Sequence, residues 1–264
     1  MTAVLSARPL AGARNPLLKV IRRAVTKGTV TDRGLCVAES FHLLEEALRS
    51  DCRVDSVLAA ASVRGDVERC VRGRVRVMVV EDDVFAGISS TETAQGVIAL
   101  VEAPAWTMER IFRAPAMVVV IDGVQDPGNA GAILRAAEAF AATGVLFLKG
   151  AAGPYHPKTL RASAGSVFRV PLAAAVDPQA ARATIEQKRL SFYAADPRGE
   201  TAAGDADLRR GFALAVGSEA HGVSGRLRAN ATGLRIPSRG VESLNAAMAA
   251  GIILYEAARQ RAHP

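Results

Sequence analysis

Residues 117–140 read MVVVIDGVQDPGNAGAILRAAEAF, and their order sets the class of fold. The unbroken apolar run Met117–Ile121 suits a strand buried on both faces. Asp122 to Gly131 then interrupt it with glycine, proline and polar residues, the composition of a turn. Ala132 to Phe140 resume as a helix. Working outward, VLFLK (145–149), RVPLA (169–173), SFYAA (191–195), FALAVG (212–217) and LRIP (234–237) read as strands. PKTLRASAG (157–165), PQAARATIEQK (178–188) and ESLNAAMAAGIILYEAARQ (242–260) read as helices. Strand and helix alternating in this way predict a layered α/β domain with a mostly parallel sheet.

Upstream the pattern is shorter in period. GLCVAE (34–39), VDSVLAA (54–60), VRVMVV (75–80) and QGVIALVEAP (95–104) read as strands. Two amphipathic helices, SFHLLEEALRS with Ser40 as N-cap and SVRGDVERCVR, lie between them. This predicts a small α/β unit with a partly parallel sheet. Asn15-Pro16 opens a further helix, with Leu17, Leu18, Ile21 and Val25 at helical spacing and Gly28 as its stop. Pro104, Pro115 and the chain's one tryptophan, Trp106, mark a linker. The predicted division is 14–103, a linker at 104–115, and 116–264; 264 residues at roughly 150 per domain also give two.

At 50% hydrophobic and 22% charged residues, the chain is outside the range of disordered sequences. No apolar run approaches the roughly 20 residues that cross a bilayer. Cys36, Cys52 and Cys70 form no CxxC, and four histidines supply no zinc-site spacing, so no metal is expected and free thiols in a reducing cytoplasm are. A soluble cytoplasmic protein is therefore predicted. The net charge of +7 favours a polyanionic partner. Three stretches carry it without an acid: 1–31 with six basic residues, 149–176 with four, and 222–241 with Arg226, Arg228, Arg235 and Arg239. The first also resembles an organelle transit peptide in composition, but the capped helix inside it points to structure.

Glycine and polar groups concentrate at three strand-to-loop junctions: DGVQDPGNAGAILR, VGSEAHGVS and IPSRGVESLNAAMAAG. In open α/β sheets ligands bind beyond the carboxyl ends of strands, where all three fall. NAGAI is not GxGxxG, and GxxxxGK[ST] is absent, which removes the Rossmann and P-loop readings.

In this order the junctions resemble the SpoU (TrmH-like) family of the SPOUT superfamily, S-adenosylmethionine-dependent RNA ribose 2′-O-methyltransferases. NAGAILRAAEAF is similar to the family's first motif, with Asn129, Gly131 and Arg135. AVGSEAHGVS is similar to the second, with Gly217, Glu219 and Gly222. RIPSRGVESLNAAMAAGIILYEA resembles the third, with Pro237, Ser243, Leu244 and Asn245; YHPKTLRASAGSVFRVP matches a stretch between them. The resemblance spans about 116–260, and QGVIALVE looks like the end of the ribosomal-protein-like RNA-binding domain often placed before it. Ser238, Ala130 and Ala246–Ala247 depart from the family pattern. The resemblance implies a trefoil knot whose loops hold the cofactor, and a homodimer with the active site at the subunit interface.

The resemblance also assigns roles. Arg135 is the residue it points to for activating the ribose hydroxyl. A guanidinium with a pKa above 12 cannot be a literal base, so its role is to hold an adjacent phosphate and stabilise the developing alkoxide. Water or a substrate phosphate then accepts the proton. Asn129 is expected to bond the ribose or fix Arg135, its plain alternative being a helix cap. Glu219 is expected to orient Arg135 or Asn129. Ser243 and Asn245 fall at the start of the last helix, where serine is a favoured cap; asparagine disfavours helix interiors, which reads Asn245 as a catalytic or substrate contact. Gly217, Ile236 and Leu244 are the cofactor-binding positions, through their backbone groups. Lys158 and Arg161 are candidates for phosphate contacts, while His156 and His221 read as loop residues.

The predicted activity is thus RNA 2′-O-methylation with S-adenosylmethionine as cofactor, with large-subunit ribosomal RNA the favoured target and transfer RNA the runner-up. A self-protecting methyltransferase against a ribosome-targeting antibiotic would use the same chemistry. A catalytically silent RNA-binding or ribosome-assembly factor is the rival from another class.

Overall fold

The computed structural model describes residues 8–9, 15–91 and 93–262; most of the basic arm expected before Asn15 lies outside them. In chain order the elements are β1 (Arg8–Pro9), α1 (Pro16–Lys27), β2 (Leu35–Glu39), α2 (Phe41–Arg49), β3 (Val54–Ala60), α3 (Arg64–Val71), β4 (Arg76–Val80), α4 (Asp82–Ala86) and β5 (Val97–Glu102). There follow α5 (Met108–Ile111), β6 (Met117–Asp122), α6 (Pro127–Ala139), β7 (Gly144–Leu148), α7 (Pro157–Ser163), β8 (Leu172–Val176), α8 (Pro178–Gln187) and β9 (Ser191–Ala195). The last are β10 (Thr201–Ala202), β11 (Phe212–Gly217), α9 (Gly225–Arg228), β12 (Thr232–Arg235) and α10 (Ala246–Ala262).

Two compact units result. One holds the described residues up to 105 together with 155–169. Its sheet runs β1-β4-β3-β5-β2, with β1, β4 and β3 parallel and β5 antiparallel to both β3 and β2. Asn15 starts α1 by accepting from the Leu17 amide at 2.9 Å, and Gly28 ends it in the left-handed region. Ser40 caps α2 through the Leu43 amide at 3.1 Å. Leu18, Ile21, Leu58, Phe85, Ile98 and Leu100 fill the core between helices and sheet. Within this core Glu39 is buried, and Ser89, Ser90 and Thr91 surround its carboxylate with hydroxyl and amide donors. PKTLRASAG forms the helix α7, which belongs to this first unit and packs on β2.

The second unit holds 106–154 and the described residues from 170 onward. Its seven strands run β10-β12-β9-β11-β6-β7-β8, all parallel. The predicted strands MVVVID and FALAVG are β6 and β11, buried at every position and paired over six residues at the centre of the sheet. Val118, Val120, Leu146, Ala213, Ala215 and Ile185 build the core on one face. The stretch read as a linker contains the short helix α5, whose Ile111 and Phe112 enter that core.

The edge of this sheet has an unusual path. β9 and β10 are consecutive in the chain, yet β12 lies between them and pairs with both. The connection 196–200 must therefore cross β12. Gly199 makes the crossing close: a Cβ there would lie 2.9 Å from the Leu234 nitrogen and nearer still to the Gly233 carbonyl. Arg235 secures it, its guanidinium donating to the carbonyls of Gly199 at 3.3 Å and Glu200 at 2.6 Å. Beneath, Arg228 pairs with Asp196 at 2.6 Å. Gly199→Ala is expected to destabilise the protein by about 2–4 kcal/mol, because the backbone at the crossing has no room to relax. Gly204→Ala, whose added Cβ meets nothing within 4 Å, is expected to leave the denaturation midpoint nearly unchanged. Equal midpoints for the two variants in chemical denaturation would show that the crossing is slack.

Candidate active site

A cavity of about 630 Å³ opens at the carboxyl ends of β9, β11 and β12. Its walls come from the crossing loop after β9, the loop after β11 and the loop between β12 and α10. Gly217, at the last position of β11, is buried, and a Cβ there would collide with the backbone of Gly222 and Val223. The loop 218–222 folds back so that Ser218 and Gly222 exchange backbone hydrogen bonds at 3.2 and 2.8 Å. Asp122, buried at the end of β6, accepts from the Ser224 amide at 2.6 Å and anchors the loop's far side. A lone charged residue ending the apolar run MVVVID was the sequence signal for this anchor, and motif reading passed over it.

Residues from all three junctions meet in one chain of hydrogen bonds. The Asn129 amide donates from Nδ2 to Glu219 Oε1, and its Oδ1 accepts from Asn245 Nδ2 at 3.0 Å. Asn245 Oδ1 in turn accepts from the amides of Ala247 and Met248 at 3.0 and 3.2 Å. Both oxygens and both amide nitrogens thus have fixed orientations, and each Nδ2 keeps one N–H unassigned. Glu219 also lines the cavity, as do Ser243, Leu244 and Ile236. The arrangement offers amide donors to a polar group brought to the edge of a pocket of small-molecule size.

Two expectations about caps need correction. α10 begins at Ala246, so 242–245 is loop and Asn245, not Ser243, caps the helix. Asn245 is not in a helix interior; its placement satisfies the exposed amides of the first turn. Asn129 does not cap α6 either: Asp126 does, through the Gly128 amide at 3.0 Å, with Pro127 at the first helical position.

The remaining residues divide. Arg135 is exposed on α6 and, among the described residues, has no hydrogen bond or ion pair; it is bonded to neither Asn129 nor Glu219. Arg161 is half-buried in the first unit and donates to Ser90 Oγ at 2.8 Å, while Lys158 is exposed. His156 caps α7, its Nδ1 accepting from the Lys158 amide at 3.2 Å. Burial, and then the cations Lys158 and Arg161, hold its pKa below the usual histidine value, which keeps the imidazole neutral and able to accept. His221 sits in the exposed loop on the cavity wall. Asp196, Arg228 and Glu242 also line the cavity; in the sequence Arg228 stood only as one cation of a basic stretch, and the two acids were not singled out. Among the described residues no group of histidine, cysteine and acidic side chains is placed to hold a metal, and no helix is long and apolar enough to cross a membrane.

Fold and pocket define an α/β protein that takes a small ligand at the carboxyl ends of a parallel sheet, with a polar cluster from three separate loops beside it. Residues 116–255 match the SpoU rRNA Methylase family and residues 15–99 the MRM3-like substrate binding domain. The chain belongs to the SpoU rRNA methylase family. It is 29% identical over 250 residues to the 23S rRNA (guanosine(2553)-2′-O)-methyltransferase RlmP of Bacillus subtilis, covering 94% of this chain and 98% of that protein. The SpoU methyltransferase AviRb of Streptomyces viridochromogenes, solved in complex with AdoMet, superposes with a TM-score of 0.84 at 28% identity over 95% of this chain and 99% of that one. The TrmH/SpoU tRNA-modifying enzyme of A. aeolicus is similar over 57% of this chain and 78% of its own, at 29% identity and a TM-score of 0.51.

The two duties of Asn245 are separable. Asn245→Ala is expected to cost about 0.5–2 kcal/mol through the lost cap. Asn245→Ser keeps a capping oxygen but cannot reach Asn129, so it is expected to recover most of the stability without recovering methyl transfer. Thermal denaturation and a transfer assay on both variants check this; full activity in the serine variant would leave the link to Asn129 without a role.

Proposed function

We propose that the protein transfers a methyl group from S-adenosylmethionine to a ribose 2′-hydroxyl of large-subunit ribosomal RNA. One observation carries this reading: Glu219 lines the cavity and, through Asn129, is tied to Asn245, so a cofactor-sized pocket and a polar cluster suited to a ribose form a single site. The residues present fit the cofactor. The cavity volume lies in the range of small-ligand sites, Gly217 lines it, and Ile236 and Leu244 supply apolar walls. With Arg228 paired to Asp196, the Glu219 and Glu242 carboxylates outnumber the remaining Arg198 and favour a cationic ligand. When bound, S-adenosylmethionine supplies an electrophilic methyl group.

The chain's own residues position the acceptor. Arg135, exposed and unpaired, has all its donors available for a phosphate beside the reacting ribose, and its charge stabilises the oxygen as it loses its proton to water or that phosphate. Asn129 and Asn245 hold the sugar with their remaining amide hydrogens, and Ser243 borders the same place. Backbone groups at Gly217, Ile236 and Leu244 bind the adenine and ribose of the donor. Lys158 is kept as a phosphate contact; Arg161, already bonded to Ser90, has fewer free donors for that task.

Similarity across both units to RlmP, against similarity over 57% of the chain to the tRNA-modifying enzyme, supports a ribosomal over a transfer-RNA target. The passage of 196–200 across β12 supports the threaded path of a trefoil knot. A homodimer is supported by exposed apolar side chains: Met248, Ile252 and Tyr255 recur at helical spacing on α10, and Val241 lies in the loop before it, each at least 38% accessible. The three free thiols fit a reducing cytoplasm.

Incubating the protein with labelled S-adenosylmethionine and unmodified 23S rRNA or tRNA, then mapping ribose methylation, tests the activity. Transfer to tRNA alone would move the target; tight cofactor binding without transfer to either would favour the silent factor. Arg135→Ala is expected to lower transfer by about 100-fold or more while cofactor affinity, measured by calorimetry, stays within about threefold, since the residue lines no part of the cavity. In sedimentation, Met248→Glu with Ile252→Glu is expected to turn a dimer into a monomer, because two charges then replace the apolar stripe.

A further inference from the structure

The first unit carries a second concavity, of about 350 Å³, between the end of α2 and the turn that follows α3. Four arginines line it, Arg49, Arg69, Arg72 and Arg74, against one carboxylate, Glu45. Arg49 is balanced by Glu45 at 3.5 Å and Glu46 at 3.2 Å, and Arg69 pairs with Asp66. Arg72 and Arg74 are exposed and, among the described residues, their side chains have no hydrogen bond or ion pair. Arg76, the first residue of β4, is exposed just beyond them. Arg72 also sits at φ 49°, a left-handed backbone that favours glycine or asparagine.

We infer that this groove is a docking surface for the sugar–phosphate backbone of the RNA substrate, an inference that rests on the proposed RNA-methylating function. At Arg72 and Arg74 the charge is uncompensated: like charges held side by side repel one another, and a polyanion removes that repulsion. The cations are all arginine. Their planar forks match phosphate oxygens two at a time, and their flat faces stack on unpaired bases, which a lysine ammonium does neither of. An acidic protein surface would also engage the fork, but only a nucleic acid adds unpaired bases for the flat faces to stack on. Two paired arginines form the wall and two free ones the mouth, so the free pair is available at no cost to the unit's own ion pairs.

The test compares Arg72→Asn/Arg74→Gln with the wild type in the full-length protein. Asparagine tolerates the left-handed backbone, so the fold is preserved, and an unchanged melting temperature checks that. The control Arg113→Gln/Lys188→Gln removes the same charge from exposed positions of the second unit. Binding to a 23S rRNA transcript is followed from 50 to 200 mM salt. For the groove variant, affinity at 50 mM is expected to fall about tenfold or more, and the slope of log K against log salt to shrink by about 2. KM for the transcript is expected to rise about tenfold with kcat and cofactor affinity within about twofold, and the control to match the wild type. Affinity and slope equal to the wild type, or an equal loss in the control, would overturn the groove. Wild-type protein that binds the transcript without methylating it would overturn the catalytic reading and leave the groove to be decided by the slope. A wild type that methylates, with an unchanged KM in the groove variant, would overturn the groove alone. Wild type that binds no RNA would overturn both.

Discussion

The crossing of residues 196–200 over β12 is the constraint on which the second unit depends. Without it β12 would have no reason to lie between two strands that are neighbours in the chain, and the loop leading from β12 to α10 would leave from a different place. Glycine at 199 and 233 lets two backbones approach to a distance that side chains forbid. Arg235 converts proximity into a bond by donating across the crossing to two carbonyls. Arg228 and Asp196 hold the same loop from the pocket side. The cavity wall is therefore built from main chain fixed at several points, which suits recognition through backbone groups.

The second consequence concerns the end of the chain. α10 is capped by Asn245 and fixed at its far end by Arg261, whose guanidinium donates to the carbonyls of Leu208, Ala116 and Arg210 at 3.1, 3.1 and 2.8 Å and lies 5.4 Å from the Phe212 ring centroid. Burial draws the Arg261 pKa below its ordinary value, but four carbonyl acceptors, Pro115 included, keep the ion solvated by dipoles. The helix thus joins the amino ends of β6 and β11 at one extremity and the site at the other. Its cap is a member of the polar chain with Asn129 and Glu219, so one residue ties the start of the helix to the site.

How much of this was legible in the sequence follows from how local each signal is. MVVVID and FALAVG announce buried parallel strands because both faces are covered, and the cap pairs Asn15-Pro16 and Ser40 mark helix starts through contacts two or three residues away. The three loop motifs placed Asn129, Glu219 and Asn245 together by resemblance, without indicating which atom would bond which. The crossing was invisible: Gly199 reads as an ordinary turn glycine, and Arg235 as one cation in a basic stretch. PKTLRASAG was placed by alternation in the sequence of second-unit elements, yet Thr159, Leu160 and Ser163 are buried within the first unit; nothing in a helix's own residues says which sheet it will cover. The cap of α10 falls on Asn245 rather than on Ser243, two residues earlier, because both are good caps by type and only the fold chooses between them. Arg72 and Arg74 escaped a search for acid-free windows because Glu68 and Glu81 flank them in sequence, although Glu68 is occupied by Arg64 at 2.8 Å.

A common rule connects the residues left free. Several arginines of this chain are held by carboxylates three or four residues away, as Arg49, Arg182 and Arg259 are, and others by main-chain carbonyls, as Arg22, Arg235 and Arg261 are. Such surface pairs add little stability, but they neutralise the field locally. The side chains of Arg135 on α6 and of Arg72 and Arg74 are among those left without such a partner, the first on the helix that carries Asn129 and the others at a groove of the first unit. A free guanidinium contributes nothing to its own fold and raises the self-repulsion of a chain with a net charge of +7. Where it persists at a concave or catalytic surface, the compensating charge has to come from outside the protein. A phosphodiester backbone supplies such charge at regular intervals.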